Sequence, residues 1–324
     1  MRFPGFFGGV TRRKSAGDWS EISSLNYGHK SSLCTRGVPW VGAVCFARKQ
    51  RRRPAVSVGI QGSTLEVKGV GKSYEVVRDS KVPPVLTEVL QPVDVLARPG
   101  ELVSIVGPSG CGKSTLFSIV AGLEAPSVGT IEIDGADVTG TTGHVGYMLQ
   151  KDMLLPWRSI LDNVILGLEV RGVARADALA AARPLLKEYG LGDYEAARPA
   201  QLSGGMRQRA ALLRTLLFNR PIMLLDEPFG ALDAQTRLQM QIWLLEVQAT
   251  FMKSIVFVTH DIDEAVLLSD RIYVMWGRPG SVVQEIEIDL PKPRGVEVTT
   301  TPAFAEYKEQ VRSILMRKKE EVSL

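Results

Sequence analysis

Leu102-Val103-Ser104-Ile105-Val106-Gly107-Pro108-Ser109-Gly110-Cys111-Gly112-Lys113-Ser114-Thr115 is the stretch on which the reading of this chain turns. Residues 102–106 form an apolar run of strand length, and Lys113–Ala121 has the pattern of a helix. Between them, Gly107–Ser114 matches G-x-x-x-x-G-K-[ST]. The pattern alone arises by chance in about one chain in fifty of this length, so the flanking strand and helix carry weight. Strand, glycine loop, helix is the unit with which open α/β folds bind phosphate. Glycines let successive backbone N–H groups converge on one point, and the helix start adds a favourable dipole. Lys113 is expected to neutralise the β- and γ-phosphates, and the Ser114 hydroxyl to ligate Mg²⁺.

Two further stretches extend this reading. Ile222-Met223-Leu224-Leu225 is an apolar strand that ends in Asp226-Glu227. Alone, the two acids would read as a solvated strand end. Beside a phosphate loop, Asp226 is expected to hold the metal and Glu227 to act as general base on a water molecule. Leu202-Ser203-Gly204-Gly205-Met206-Arg207-Gln208-Arg209 reads as a serine-capped helix start, a second anion site. That full string occurs by chance in about one chain in ten thousand or fewer.

With this string in place, residues from about Thr64 to Asp289 resemble the nucleotide-binding domain of ABC transporters. The resemblance implies an α/β fold: a P-loop NTPase (RecA-like) core with an antiparallel β subdomain and an inserted α-helical subdomain. It implies ATP and Mg²⁺ as cofactors and ATP hydrolysis as the activity. The loop Gly107, Pro108, Ser109, Gly110, Cys111, Gly112, Lys113, Ser114 and Thr115 would bind nucleotide. Gln150 matches the glutamine that senses metal and water, so the implied metal set is Ser114, Gln150 and Asp226. Ala231-Leu232-Asp233 matches the D-loop, and His260 the histidine that contacts the γ-phosphate. Tyr74 sits where the family stacks an aromatic on adenine, although a strand tyrosine that only packs remains an alternative. The catalytic set implied is therefore Lys113, Gln150, Glu227 and His260. In the family two subunits pair head to tail, and Ser203, Gly204 and Gly205 of one, with Asp233, complete the site held by Lys113 of the other.

Lys151-Asp152-Met153-Leu154-Leu155-Pro156-Trp157-Arg158 and Val258–Ala265 are similar to importers of the nitrate/sulfonate/taurine class. This implies a homodimer working with two integral-membrane permease subunits and, indirectly, a periplasmic solute-binding protein, at the cytoplasmic face of the inner membrane and without nucleic acid. The Leu-Leu-Pro-Trp surface suits docking of a helix in a groove, and local core packing is the alternative. Competing readings are an exporter or lipoprotein-release ATPase, or a soluble ABC ATPase. One cassette and no heptad array argue against the last.

Composition bounds these readings. The 324 residues are 45% hydrophobic, ample for a core. No uninterrupted apolar run reaches the roughly 18 residues of a spanning helix, and the most apolar stretches, such as Ile255–Thr259, have strand length. The three cysteines, Cys34, Cys45 and Cys111, form no disulfide or metal pattern. Residues 1–60 hold 11 Lys/Arg against 2 Asp/Glu, which leaves −5 for the rest of a chain whose total is +4. That segment lacks apolar periodicity and is expected to be disordered. An upstream start codon or functionless tail is the preferred account, ahead of a presequence or a tail touching anionic lipid or RNA.

The expected organisation is a basic extension over 1–60, a nucleotide-binding domain over 61–290, and a tail over 291–324. Ala-rich, Leu-periodic residues of about 151–204 read as the helical insertion. Strands are expected at Leu65–Val76, Val145–Leu149, Ile222–Leu225, Ser254–Thr259, Arg271–Met275 and Val282–Ile288. Helices are expected at Thr236–Thr250, Asp263–Leu268 and about Ala303–Lys319.

Overall fold

The computed structural model describes residues 62–76, 85–230 and 232–323. The expectations for residues 1–60 and for Ala231 lie outside that set. Two sheets organise the rest. The first is antiparallel, in the order β2-β1-β4-β5, built from β1 (Leu65–Val76), β2 (Val85–Ala97), β4 (Val128–Ile133) and β5 (Ala136–Asp137). The second has the order β10-β9-β3-β8-β7-β6. Its strands are β3 (Leu102–Val106), β6 (Val145–Met148), β7 (Ile222–Asp226), β8 (Ser254–Thr259), β9 (Arg271–Trp276) and β10 (Ser281–Glu287).

Strands β6, β7, β8, β3 and β9 pair in parallel, and β10 closes the edge antiparallel to β9. Strands β7 and β8 are buried at every residue, as near-continuous apolar runs covered on both faces must be. Alternation still sorts their side chains. Met223, Leu225, Ile255 and Phe257 enter one core, and Ile222, Leu224, Val256 and Val258 enter the other. The first core is shared with the helices that follow β6. The second holds α1 (Lys113–Val120) and the inner face of the antiparallel sheet, through Leu65, Val67, Leu90, Val93, Val95 and Phe117.

Helices fill the stretch expected to be helical: α2 (Ile160–Val164), α3 (Leu166–Val170) and α4 (Arg175–Glu188). The next helix, α5 (Gly204–Leu217), packs against all three and also against β6. Its long buried face, from Ala210 to Leu217, joins the helical layer to the parallel sheet. Then come α6 (Ala234–Phe251), α7 (Ile262–Leu268) and α8 (Pro302–Ser323). Helix α8 buries Phe304, Val311 and Ile314 and contacts α7 and β9. Each such side chain contributes about 1.5–3 kcal/mol on burial, enough to dock the terminal helix. No helix among the described residues is long and apolar enough to cross a membrane.

Segment 153–157 answers the question of docking surface or core packing residue by residue. Leu154 is buried, whereas Met153 and Trp157 are exposed. The apolar surface is thus Met153 and Trp157, and Leu154 belongs to the core. The turn is held from beneath by Asn163, which is fully buried. Asn163 Oδ1 accepts from Leu155 N at 2.7 Å, and Nδ2 donates to Leu155 O at 3.1 Å and to Ser159 O at 2.9 Å. Replacing Asn163 with Ala leaves these backbone groups without partners. We expect a loss of about 3 kcal/mol in unfolding free energy, read from urea denaturation.

Candidate nucleotide site

The parallel register delivers four chain segments to one edge. Val106 pairs with Thr259, Val258 with Asp226, and Leu225 with Met148. Gly107, His260, Glu227 and Gln150 therefore emerge next to one another, at the carboxyl ends of adjacent strands where open α/β sheets bind ligands.

The phosphate loop leaves β3 and enters α1 with glycines where a side chain has no room. Gly110 and Gly112 have φ of +84° and +88°. A Cβ on Gly110 would lie 2.6 Å from Arg278 Nη2. Across the β9–β10 turn, a Cβ on Gly280 would overlap the Cys111 carbonyl. The turn is itself pinned to β2, because Gly280 N donates to Val89 O at 2.9 Å and Gln91 N to Gly280 O at 2.8 Å. Arg278 Nη2 donates to Ser109 O at 3.0 Å, so the loop is buttressed from outside. Within the loop, the Lys113 ammonium donates to Gly107 O and Pro108 O, each at 2.8 Å. Cys111 is buried and its sulfur lies 3.8 Å from that ammonium.

Asp226 is 4% exposed, and the Ser114 hydroxyl hydrogen-bonds to its carboxylate. Burial pushes the Asp226 pKa up, the charge of Glu227 adds to this, and Ser114 and Lys113 oppose it. Tyr147 lies close by, its hydroxyl pushed up to about 12 by burial first and the Asp226 charge second. A hydroxyl beside a buried, undercompensated carboxylate suits a hard cation. Mg²⁺ binds with one or two protein oxygens and fills its shell with phosphate and water. No group of three or more His, Cys, Asp or Glu side chains that could hold a metal ion occurs among the described residues.

Glu227 follows the strand in a left-handed conformation, φ +47°. That geometry turns its carboxylate between two neighbours. Oε2 accepts from Gln150 Nε2 at 2.9 Å, and Oε1 lies 3.4 Å from His260 Nδ1. Gln150, expected at the metal, thus has Glu227 as its partner. Tyr74 is half-buried on β1, its hydroxyl hydrogen-bonded to Glu124 and Thr115, and Lys72 Nζ sits 4.9 Å over its ring. The tyrosine therefore stands beside the first turn of α1.

Ser203 caps α5, accepting from Met206 N at 3.3 Å. Its neighbourhood is not the phosphate loop. A Cβ on Gly205 would meet Leu232 Cδ2 at 3.4 Å and Thr236 Cγ2 at 3.5 Å. Asp233 caps α6, accepting from Thr236 N at 3.0 Å, and this hydrogen bond lowers its pKa. Ser203 and Gly204 are exposed, available to something outside this chain. The sheet edge with Lys113, Glu227 and His260 and the exposed start of α5 are thus two separate places on one chain.

Residues 90–230 match the ABC transporter family model. The nitrate import ATP-binding protein of Synechocystis is 39% identical over 70% of this chain and 87% of its own length. The aliphatic sulfonates import ATP-binding protein of Xanthomonas axonopodis is 46% identical over 64% and 82%. The chain belongs to the ABC transporter ATP-binding family. A bacterial ABC transporter cassette solved as a dimer superposes with a TM-score of 0.62, at 30% identity, over 70% of this chain and all of that one. The same cassette in a post-hydrolysis state bound to ADP and Pi gives 0.62 at 31% identity over the same shares. This chain is accordingly an ABC ATPase with the P-loop fold expected from its sequence.

Three residues beside the ABC site escaped the sequence reading: Arg278, Arg237 and Glu264. Arg278 is announced only by the Gly277-Arg278-Pro279-Gly280 turn. Glu264 lies in a quoted stretch, four residues after His260, where a helix begins. Asp226 carries a prediction. A carboxyl whose folded pKa is raised adds stability below its unfolded value of 3.8 and loses it as pH rises through the folded value. Asp226→Asn should therefore raise the nucleotide-free melting midpoint by about 2 °C at pH 7, with the gain vanishing toward pH 4. The same variant should lose the Mg²⁺-dependent part of ATP binding, measured by calorimetry with and without chelator.

Proposed function

We propose that this chain is the ATP-hydrolysing subunit of an importer for a small solute of the nitrate, sulfonate or taurine kind, working as a homodimer under two permease subunits. The observation that carries the proposal is the division of the site. Lys113, Glu227, Gln150 and His260 converge at one sheet edge, while Ser203 sits elsewhere, exposed at a capped helix start. Head-to-tail pairing would bring Ser203, Gly204 and Gly205 of one copy onto the γ-phosphate held by the other, with Asp233 at the seam. The dimeric cassette similar to this chain supports that arrangement.

In this reading Gly107–Thr115 wraps the phosphates and Tyr74 stacks on adenine. Ser114 and Asp226, with Gln150, are the residues that would hold Mg²⁺, which when bound neutralises phosphate charge. Lys113 shifts from the loop carbonyls to the β/γ-phosphates. Glu227 takes the proton of the attacking water, held in aim by Gln150, and His260 supports the γ-phosphate. Hydrolysis of this kind rests on positioning and electrostatic stabilisation. Cleavage removes the contact joining the two copies, and the dimer opens.

Exposed Met153 and Trp157, on a turn pinned by Asn163, form an apolar surface for a permease helix. The importer class rests on the named relatives. A peripheral position at the cytoplasmic face of the membrane, and a periplasmic solute-binding protein reached through the permease, belong to the same proposal.

Two variants test the division of roles. Glu227→Gln should retain ATP affinity while turnover falls by about 10²–10⁴-fold, accumulating a dimer in size-exclusion chromatography with ATP. Wild-type turnover would remove Glu227 from the mechanism. Ser203→Arg should reduce hydrolysis by about 100-fold or more and leave ATP binding to the monomer intact. An equal loss of monomer affinity would place Ser203 in its own chain's site instead.

A further inference from the structure

Arg237 stands one turn into α6, and its contacts run in two directions. Toward its own N-terminus, Nη2 donates to Leu232 O at 3.2 Å, and the backbone N–H donates to Asp233 O at 2.8 Å. Toward the neighbouring strand end, Nη1 lies 3.6 Å from Asp261 Oδ2 and Nε 3.8 Å from Glu264 Oε1. Its Nε is buried and makes no hydrogen bond. Glu227, His260, Arg237 and Glu264 line one small cleft.

The residues on either side of His260 are held by this group. Glu264 is 5% exposed and accepts from Thr259 Oγ1 at 2.6 Å and from Gln241 Nε2 at 3.2 Å. Asp261 N donates to Thr259 Oγ1 at 3.0 Å, and Asp261 Oδ1 accepts from Asp263 N at 2.9 Å. His260 itself is mostly exposed, with Nδ1 3.4 Å from Glu227 Oε1. Its place is therefore fixed through Thr259 and Asp261. The carboxylate holding Thr259 is buried, so its charge needs a cation and hydrogen bonds, and Arg237 and Gln241 on α6 provide them.

We infer that Arg237 and Glu264 are positioning residues for hydrolysis, tying the Leu232–Asp233 segment to His260 within one chain. The inference rests on the proposed roles of His260 and Glu227. Leu232 and Thr236 also face Gly205 at the start of α5, where a Cβ would meet Leu232 Cδ2 at 3.4 Å and Thr236 Cγ2 at 3.5 Å. A line of neighbouring groups thus leads from the Ser203 turn, through Leu232, Arg237, Glu264 and Thr259, to His260, hydrogen-bonded between Arg237 and Leu232 and between Thr259 and Glu264, and joined by the longer ion pair of Arg237 with Glu264. Movement of Leu232 relative to α7 would pull on Arg237, and through Glu264 on the strand end that carries the histidine. Such a line has physical content only if breaking it changes the far end.

The experiment uses the full chain and reads steady-state ATPase alongside equilibrium binding of a fluorescent ATP analogue. Arg237→Ala should lower kcat about tenfold or more while affinity for the analogue changes less than about threefold. Arg237→Lys should recover part of the rate, since a cation returns without the fork that reaches both Leu232 O and the carboxylates. The double variant Arg237→Ala with Glu264→Gln should be no slower than the slower single, because both act through one link. If Glu264→Gln does not fold, Thr259→Val removes the same link from the strand side and takes its place in the cycle.

Wild-type kcat in Arg237→Ala overturns the inference, as does a matched fall of kcat and affinity, or a double variant whose losses multiply. Glu227→Gln, measured in parallel, separates the two levels. Wild-type turnover there defeats the underlying reading whatever Arg237→Ala does. An inert Glu227→Gln beside a fully active Arg237→Ala defeats this inference alone.

Discussion

The hydrogen-bonded register of β3, β8, β7 and β6 brings the ends of four segments level, so that residues far apart in sequence meet at one edge. Each pairing fixes the next: Val106 to Thr259, Val258 to Asp226, Leu225 to Met148. A slip of one residue in any ladder would move every side chain of that strand to the opposite face. Both faces of these strands are buried, so such a slip would send each apolar set into the wrong core and carry the end-of-strand polar groups away from their partners. The same burial that stabilises the sheet thus enforces the spacing among Lys113, Asp226, Glu227 and His260.

Around that edge the chain is built with little slack. The phosphate loop presses on the β9–β10 turn at Gly107 and Gly280, and the turn is bonded to β2 on its far side. The antiparallel sheet is therefore more than a lid over the second core. Through Leu90 and its neighbours it sets where the loop can sit, and it presents Tyr74 near the first turn of α1. On the opposite flank, α5 spans the helical layer and the sheet, so its exposed start is held by a long buried face. Supports at both places suit the head-to-tail pairing proposed above, in which each site is completed by a second copy.

Much of this was legible before any coordinates. The phosphate loop, the acid pair and the Ser-Gly-Gly turn are strings whose residue types are dictated by chemistry, and strands β7, β8 and β9 are apolar runs of the right length. Strands β2 and β4 were not read. Strand β2 is largely exposed over its first half, and Pro92 sits where its pairing with β1 shifts register, so no clean alternation survives. Leu154 and Trp157 are both large apolar residues of one short stretch, and no periodicity there tells the buried one from the exposed one. Arg237, Glu264 and Arg278 were not singled out because their importance lies in what they touch, from five residues away, as with Arg237 and Leu232 or Glu264 and Thr259, to 169, as with Arg278 and Ser109.

The backbone at Glu227 has a consequence of its own. A left-handed conformation is unfavourable by about 1 kcal/mol or more for a residue with a long side chain, and asparagine or glycine would occupy it more comfortably. The role proposed for Glu227 therefore sets reactivity against conformational preference at this one position. In a lineage released from the need to turn over ATP, drift toward small or amide residues there would be favoured by the fold itself. Under the role proposed for Glu227, glutamate at this position in a descendant would accordingly be a sign of continued selection for work, independent of how well the rest of the molecule is preserved.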